Sequence, residues 1–300
     1  MNILITGAFG MVGRELVREL EGAHSLRLLD RDKPENATVF APGTPTGRKP
    51  APFATSWPCI QGEITDRAAV GKAVAGMDAV VHLAAVVTGF PQNGPETMHV
   101  NVCGTFNLLD AACREAKAKR FVCASSINAF GTFYWRLSGK PVSYDRLPLD
   151  EDFPSVAEDP YSLSKLFNEQ TCAGFTRAYG ITTAAFRFAG VWPEETYRQR
   201  RAEGLKPTAG WSDDLYQWVH VKDVVRGIRQ ALEKPDLPAH GVYTLCAADT
   251  RCPEPSMDIL QKFRPDLAAK VTVPIPGRGS LLSIQRAHDA FGFAPQYRLD

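Results

Sequence analysis

Short apolar runs and helical stripes alternate along most of the chain. Ile3-Leu4-Ile5 is a run of the kind that forms a buried parallel strand, and Leu16, Val17 and Leu20 then take up helical spacing. Leu26-Arg27-Leu28-Leu29 and Cys59-Ile60 predict further strands, with Asp66 placed to cap a helix through Ala75. Ala79 to Ala85 reads as a buried strand whose small residues leave space at its carboxyl end. Val102, Phe106, Leu109, Cys113 and Ala116 form one stripe of a long helix, and Phe121-Val122-Cys123-Ala124 is a strand ending at Ser125-Ser126. Thr183 to Phe188 reads as another strand, Val221 to Leu232 as an amphipathic helix, and Val242 to Leu245 as a strand. The segment from Lys33 to Pro58 carries six prolines and almost no periodicity, which predicts an exposed excursion.

Repeated alternation of strand and helix predicts an α/β fold, a doubly wound parallel sheet of the Rossmann type with ligands at the strand carboxyl ends. Residues 1–190 read as a dinucleotide-binding domain. Residues 191–300 read as a smaller substrate-facing lobe, with the helix at 221–233 and the strand at 242–246 returning to the sheet.

Between the first strand and first helix lies Thr6-Gly7-Ala8-Phe9-Gly10-Met11-Val12-Gly13. In that position Gly7 allows a tight turn, Gly10 lets backbone approach a pyrophosphate at the helix N-terminus, and Gly13 permits close packing of helix on strand. Asp30 ends the second strand at the distance expected for a carboxylate that bonds the adenosine ribose hydroxyls, which favours NAD over NADP. Arg31 beside it is the residue that would receive a 2′-phosphate if it turned inward. His82 reads as a satisfied core histidine.

Composition narrows the partners. A chain of 300 residues, 44% hydrophobic, can bury a full core, and a net charge of +1 makes no electrostatic case for nucleic acid or an anionic membrane. Seven cysteines without a Cys-x-x-Cys pair suggest buried thiols in a reducing compartment, and six scattered histidines show no metal spacing. No run approaches a membrane span, and the start leaves no room for a signal peptide, so a soluble cytoplasmic protein with a small-molecule substrate is expected.

The chemistry falls on Tyr161-Ser162-Leu163-Ser164-Lys165. Asp159 and Pro160 predict a helix start just before it, so Tyr161 and Lys165 should share a face one turn apart. A nearby ammonium favours phenolate, and a tyrosine so tuned can deprotonate a hydroxyl near neutral pH.

With the glycine loop, Asp30, the Ser126 strand end and Tyr161/Lys165 in that order, the chain resembles the extended short-chain dehydrogenase/reductases of the NAD-dependent epimerase/dehydratase family. Gly62-Glu63-Ile64, His82-Leu83-Ala84-Ala85, Asn101 to Thr105, Trp218 to Asp223 and Phe291-Gly292-Phe293-Ala294-Pro295 extend the likeness. The resemblance implies NAD held by Gly7, Phe9, Gly10, Met11, Gly13, Asp30, Arg31, Glu63, Ile64, Leu83, Ala84, Ala85, Asn101, Tyr161 and Lys165. Glu63 stands where the family more often has Asp. It implies Tyr161 as base, Lys165 on the nicotinamide ribose and Ser126 on the reacting oxygen, with Asn128, Arg187 and Trp192 facing substrate. It also implies a homodimer built from helices of the sheet's outer face, one of them carrying Tyr161.

Two departures narrow the substrate. The family's dehydratases place Asp-Glu after the position of Ser126, and here Ile127 and Asn128 follow, which argues against sugar dehydration. Many nucleotide-sugar enzymes carry an arginine where this chain has Tyr216; Arg187, Arg198, Arg200 or Arg201 would have to replace it. Phe186-Arg187-Phe188-Ala189-Gly190 with Pro193-Glu194, and Trp211-Ser212-Asp213-Asp214, are similar to the uronate dehydrogenase branch. The expected activity is oxidation of a secondary hydroxyl of a sugar, sugar acid or related hydroxy compound by hydride transfer to NAD. The alternatives are a nucleotide-sugar epimerase with tightly held NAD and a non-catalytic dinucleotide-binding protein.

Overall fold

The computed structural model describes residues 1–40, 48–132, 135–140 and 142–299. Strand β1 (Asn2–Thr6), helix α1 (Met11–Leu20) and strand β2 (Ser25–Asp30) open the chain. A small antiparallel ribbon, β3 (Thr38–Phe40) with β4 (Arg48–Pro50), precedes β5 (Cys59–Gln61). Then come α2 (Arg67–Val74), β6 (Ala79–His82), α3 (Gly94–Met98), α4 (Gly104–Ala111), β7 (Arg120–Ser126), α5 (Pro160–Tyr179) and β8 (Thr182–Phe188). The last part holds β9 (Val191–Trp192), α6 (Glu194–Glu203), β10 (Val219–His220), α7 (Val221–Glu233), β11 (His240–Leu245), α8 (Ser256–Phe263), α9 (Pro265–Ala268) and α10 (Gln285–Phe291).

Seven strands form the main sheet in the order β11-β8-β7-β6-β1-β2-β5, and every pairing in it is parallel. The order turns at β1, whose neighbours are β2 and β6, so loops diverge there and open a crevice at the carboxyl edge. Both faces are covered, as the continuous apolar runs require. Ile3 and Ile5 pack with Leu16, Val224 and Ile228 on one face, while Leu4 joins Val80, Leu108 and Phe121 on the other. β11 pairs with β8, and α7 lies against α1, so the late part of the chain completes the sheet.

Side-chain caps set the helix starts. Asp66 accepts from the amides of Ala68 and Ala69, and Asp159 from those of Tyr161 and Ser162, each cap contributing about 1 kcal/mol. The outer edge of β11 is closed by a side chain, with the Thr244 amide donating to Glu151 Oε1 at 2.5 Å.

Two expectations change. The long helical stripe is broken by π-helical turns at His99–Cys103 and Ala112–Ala116, each inserting a residue into the helical repeat. Asn101, Gly104, Thr105, Leu108 and Ala112 consequently face inward, and Phe106, expected inside, is 48% exposed. The proline-rich segment is also less detached than expected. Phe53 is buried 5.9 Å from the Phe9 ring, and Arg14 on α1 donates to the carbonyls of Ala51 and Pro52. Residues 41–47 of that segment lie outside the described residues.

Candidate active site

The loop after β1 is shaped by two glycines. Gly7 has φ +66, and a Cβ there would stand 2.6 Å from the Ala84 amide nitrogen. A Cβ on Gly13 would stand 2.3 Å from the Gly7 carbonyl, so helix and strand touch only because that atom is missing. Gly10 is the N-cap of α1 and supplies no side-chain cap, leaving first-turn amides for an anion. Across the crevice, Asp30 Oδ2 accepts from Phe9 N at 2.9 Å and Oδ1 from Asp32 N at 3.2 Å. Burial pushes this carboxyl above its ordinary value, and the two amides pull it back. Each oxygen keeps acceptor capacity for a ribose hydroxyl. The glycine cradle, the uncapped helix and the carboxylate fit a dinucleotide.

The remaining residues expected on the cofactor divide. Met11, Leu83, Ala84 and Ala85 are half-buried. Ile64 is buried against Gly104, while Glu63 is exposed and Arg31 points outward, 3.9 Å from Asp32. Phe9 spends its amide on Asp30 and its ring on Phe53. Asn101 is a brace: its amide nitrogen donates to Val86 O and Ser164 Oγ, both at 2.9 Å, and its oxygen accepts from Val86 N at 2.8 Å. Ser164 in turn donates to Tyr161 O, which ties the loop after β6 to the helix carrying Tyr161.

His82 lies beneath this loop with both ring nitrogens used. Thr105 Oγ1 donates to Asn101 O, so it accepts from His82 Nε2, and Nδ1 then accepts from Thr6 Oγ1 at 2.8 Å. Burial drives this imidazole down to about 3, so it is neutral.

Tyr161, Lys165 and Ser126 come together at the carboxyl edge. α5 crosses β7, so that Lys165 Nζ donates to Ala124 O at 2.8 Å and stands 5.4 Å from the centroid of the Tyr161 ring. Ser126 ends β7, accepts from Asn128 N through its hydroxyl at 3.1 Å, and lines the same pocket as Tyr161. The expectation of a depressed phenol is corrected by burial, which pushes Tyr161 up to about 12 against the opposing pull of Ser126. Burial also lowers the Lys165 ammonium, offset by Cys123 and Glu169.

Above the phenol is a cavity of about 250 Å³ lined by Val87, Ser125, Ser126, Ile127, Asn128, Trp135, Tyr161, Phe188, Ala189, Gly190, Val191, Asp214 and Gln217. A larger cavity of about 610 Å³ lies at the amino end of β11 among His240, Gly241, Tyr243, Glu151 and Arg286, and it contains none of these three residues. Chemistry places the site in the smaller one.

Asn128 lines the pocket, whereas Arg187 and Trp192 do not. Arg187 is 4% exposed and donates through Nε and Nη2 to Glu169, both at 2.8 Å, while Glu169 also accepts from Ser125 Oγ at 2.6 Å. Trp192 packs against Trp218, with ring centroids 4.8 Å apart and planes tilted by 31°. Arg198 pairs with Glu194 and Arg200 with Glu203 on the exposed side of α6. Sequence reading missed Trp135, Gln217 and Glu169, and it marked Asp214 only as part of the Trp211 to Asp214 motif. Glu169 carried a usable signal, a carboxylate one turn beyond Lys165. Trp135 and Gln217 sit in aperiodic stretches, where no pattern marks them.

The model of the NAD dependent epimerase/dehydratase family matches residues 3–246. This chain belongs to that family. Among its relatives is a uronate dehydrogenase from Pseudomonas putida, 29% identical over 251 residues that cover 83% of this chain and 77% of the relative. A short-chain dehydrogenase/reductase superfamily protein from Agrobacterium tumefaciens with bound NAD superposes with a TM-score of 0.67 at 25% identity, over 100% of this chain and 94% of that one. UDP-glucose 4-epimerase from Thermotoga maritima gives the same TM-score at 22% identity, covering 100% and 95% of the two chains, which shows a shared fold. Relatives in the family are dehydrogenases, dehydratases and epimerases, and this chain is an enzyme of the same family.

Proposed function

We propose that this enzyme oxidises a secondary hydroxyl of a sugar or sugar derivative, with NAD as hydride acceptor. The carrying observation is that Ser126 and Tyr161 line one pocket on the carboxyl edge, with the Lys165 ammonium 5.4 Å from the centroid of the Tyr161 ring. Tyr161 takes the proton of the substrate hydroxyl, Ser126 orients the reacting oxygen, and the Lys165 ammonium stabilises the phenolate. Gly7, Gly10 and Gly13 would admit the pyrophosphate and Asp30 the adenosine ribose, which favours NAD because a carboxylate repels a 2′-phosphate. Bound NAD supplies the hydride acceptor. The Pseudomonas putida uronate dehydrogenase supports net oxidation, and Ile127-Asn128 after Ser126 argues against dehydration.

A homodimer through α4 and α5 is part of this reading. Phe106, Phe167 and Tyr179, at 48%, 41% and 51% exposure, leave an aromatic strip on that outer face, joined by Phe175.

The test is NADH absorbance over a panel of free sugars, uronates and nucleotide sugars, beside mass analysis of copurifying cofactor. Net NADH formation is expected. Inversion at one carbon with retained NAD and no net NADH would replace the reading with an epimerase, and growth of signal only with NADP would overturn the role of Asp30.

A further inference from the structure

We propose that the pocket above Tyr161 takes an uncharged free sugar ring, stacked on Trp135 and recognised by the side-chain amides of Asn128 and Gln217. This rests on the dehydrogenase reading for the reaction and on the pocket's own chemistry for the class of substrate.

One wall is aromatic. The Trp135 indole meets the Tyr161 ring edge-on at 5.8 Å and is backed by Phe90 at 6.1 Å. Holding it there requires a left-handed backbone, φ 47, at a residue with a Cβ. Gly89 makes the room: a Cβ at that position would stand 2.5 Å from the indole. A flat apolar wall beside the catalytic phenol suits the C–H face of a sugar ring.

The opposite side is polar and already neutralised. Asp214 is the one charged residue of the lining among the described residues, and it is 5% exposed. Its carboxylate accepts from Arg251 at 2.7 and 2.8 Å, from Ser212 Oγ at 2.7 Å and from Tyr216 N at 3.0 Å. Gln217 lines the pocket with its amide held at both ends, Nε2 donating to Leu215 O and Oε1 accepting from Ser280 Oγ, which leaves one N–H and one lone pair for a ligand. A substrate carboxylate or diphosphate entering here would be desolvated beside a fixed carboxylate. The arginines named for that task are engaged elsewhere, Arg187 with Glu169, Arg198 with Glu194, Arg200 with Glu203 and Arg201 over the Tyr197 ring. Hydroxyl groups, by contrast, both donate to and accept from amides.

Initial rates with saturating NAD would be compared for glucose, glucuronate and UDP-glucose and for the galactose set, beside calorimetric affinities measured with NADH present. The expected result is a preference of at least about tenfold for the best aldose over its uronate and UDP-derivative, since the described lining offers amides and hydroxyls but no cation to offset the desolvation of a charged group. Trp135→Ala is expected to raise KM for that aldose about tenfold without changing KM for NAD, with Trp135→Phe recovering most of it. Preference for a uronate or UDP-sugar would overturn the proposal while leaving hydride transfer intact, and loss of that preference in Arg198→Ala would identify the overriding cation. Aldose binding in the expected order without NADH formation would keep the pocket's class and discard the dehydrogenase reading. Binding of no aldose in the panel would overturn the proposal.

Discussion

Tyr161 is caught between burial and the Asp159 charge, which hold its proton, and the Ser126 hydroxyl, which favours its release. In the cofactor-free chain burial wins, leaving the phenol near 12. The phenolate fraction therefore grows as pH rises, and kcat/KM for substrate oxidation should rise with pH through the neutral range. A flat profile from pH 6 to 9 would show that the phenol is not the base. Tyr161→Phe should cost about a hundredfold or more in kcat with little change in NAD affinity. His82 carries a different pH signature. Its imidazole is held near 3 against an ordinary 6.5, so the unfolded chain binds a proton that the fold refuses. The neutral ring's contribution is present above the ordinary value and declines as pH falls from 6.5 towards 3. Between pH 7 and 5 the wild type should lose about 2 kcal/mol more stability than His82→Gln in urea titrations. Equal losses would mean that His82 is protonated in the fold.

The catalytic helix is anchored to two strands by one carboxylate. Glu169 on α5 accepts from Ser125 on β7 and from Arg187 on β8, both partners adjacent in the sheet register. Glu169→Ala strands a buried guanidinium and should destabilise by about 3–5 kcal/mol, whereas Glu169→Leu with Arg187→Met should recover most of that. Thermal melts of the three proteins decide it. The same pair shows where sequence reading stops. A buried arginine and an exposed one are the same letter, so Arg187 reads as a substrate contact until β8 is seen packed under Glu169. Glycine spacing was legible because each missing Cβ answers a local steric demand, at Gly7 and Gly13 alike. Helix α4 was misread because a π turn shifts the inward face without changing composition.

At the scale of the molecule, the doubly wound parallel sheet was legible because parallel crossovers leave few topologies. The pocket's walls were not, since Trp135, Asp214 and Gln217 come from loops whose meeting is decided by the completed sheet. The aromatic strip on α4 and α5 should close against a second copy. Phe106→Glu with Phe167→Glu is expected to convert a dimer to a monomer by sedimentation. A wild-type protein that is already monomeric would refute the interface.

The outer edge of β11 bears on the protein's behaviour in concentrated solution. An open parallel edge can add strands from another chain and seed fibrous growth, and here the Glu151 carboxylate takes the place of the next strand at Thr244. Removing it as Glu151→Ala should leave the monomeric fold assembled yet raise light scattering on standing, in proportion to protein concentration. One carboxylate is thus also a chain terminator for the sheet.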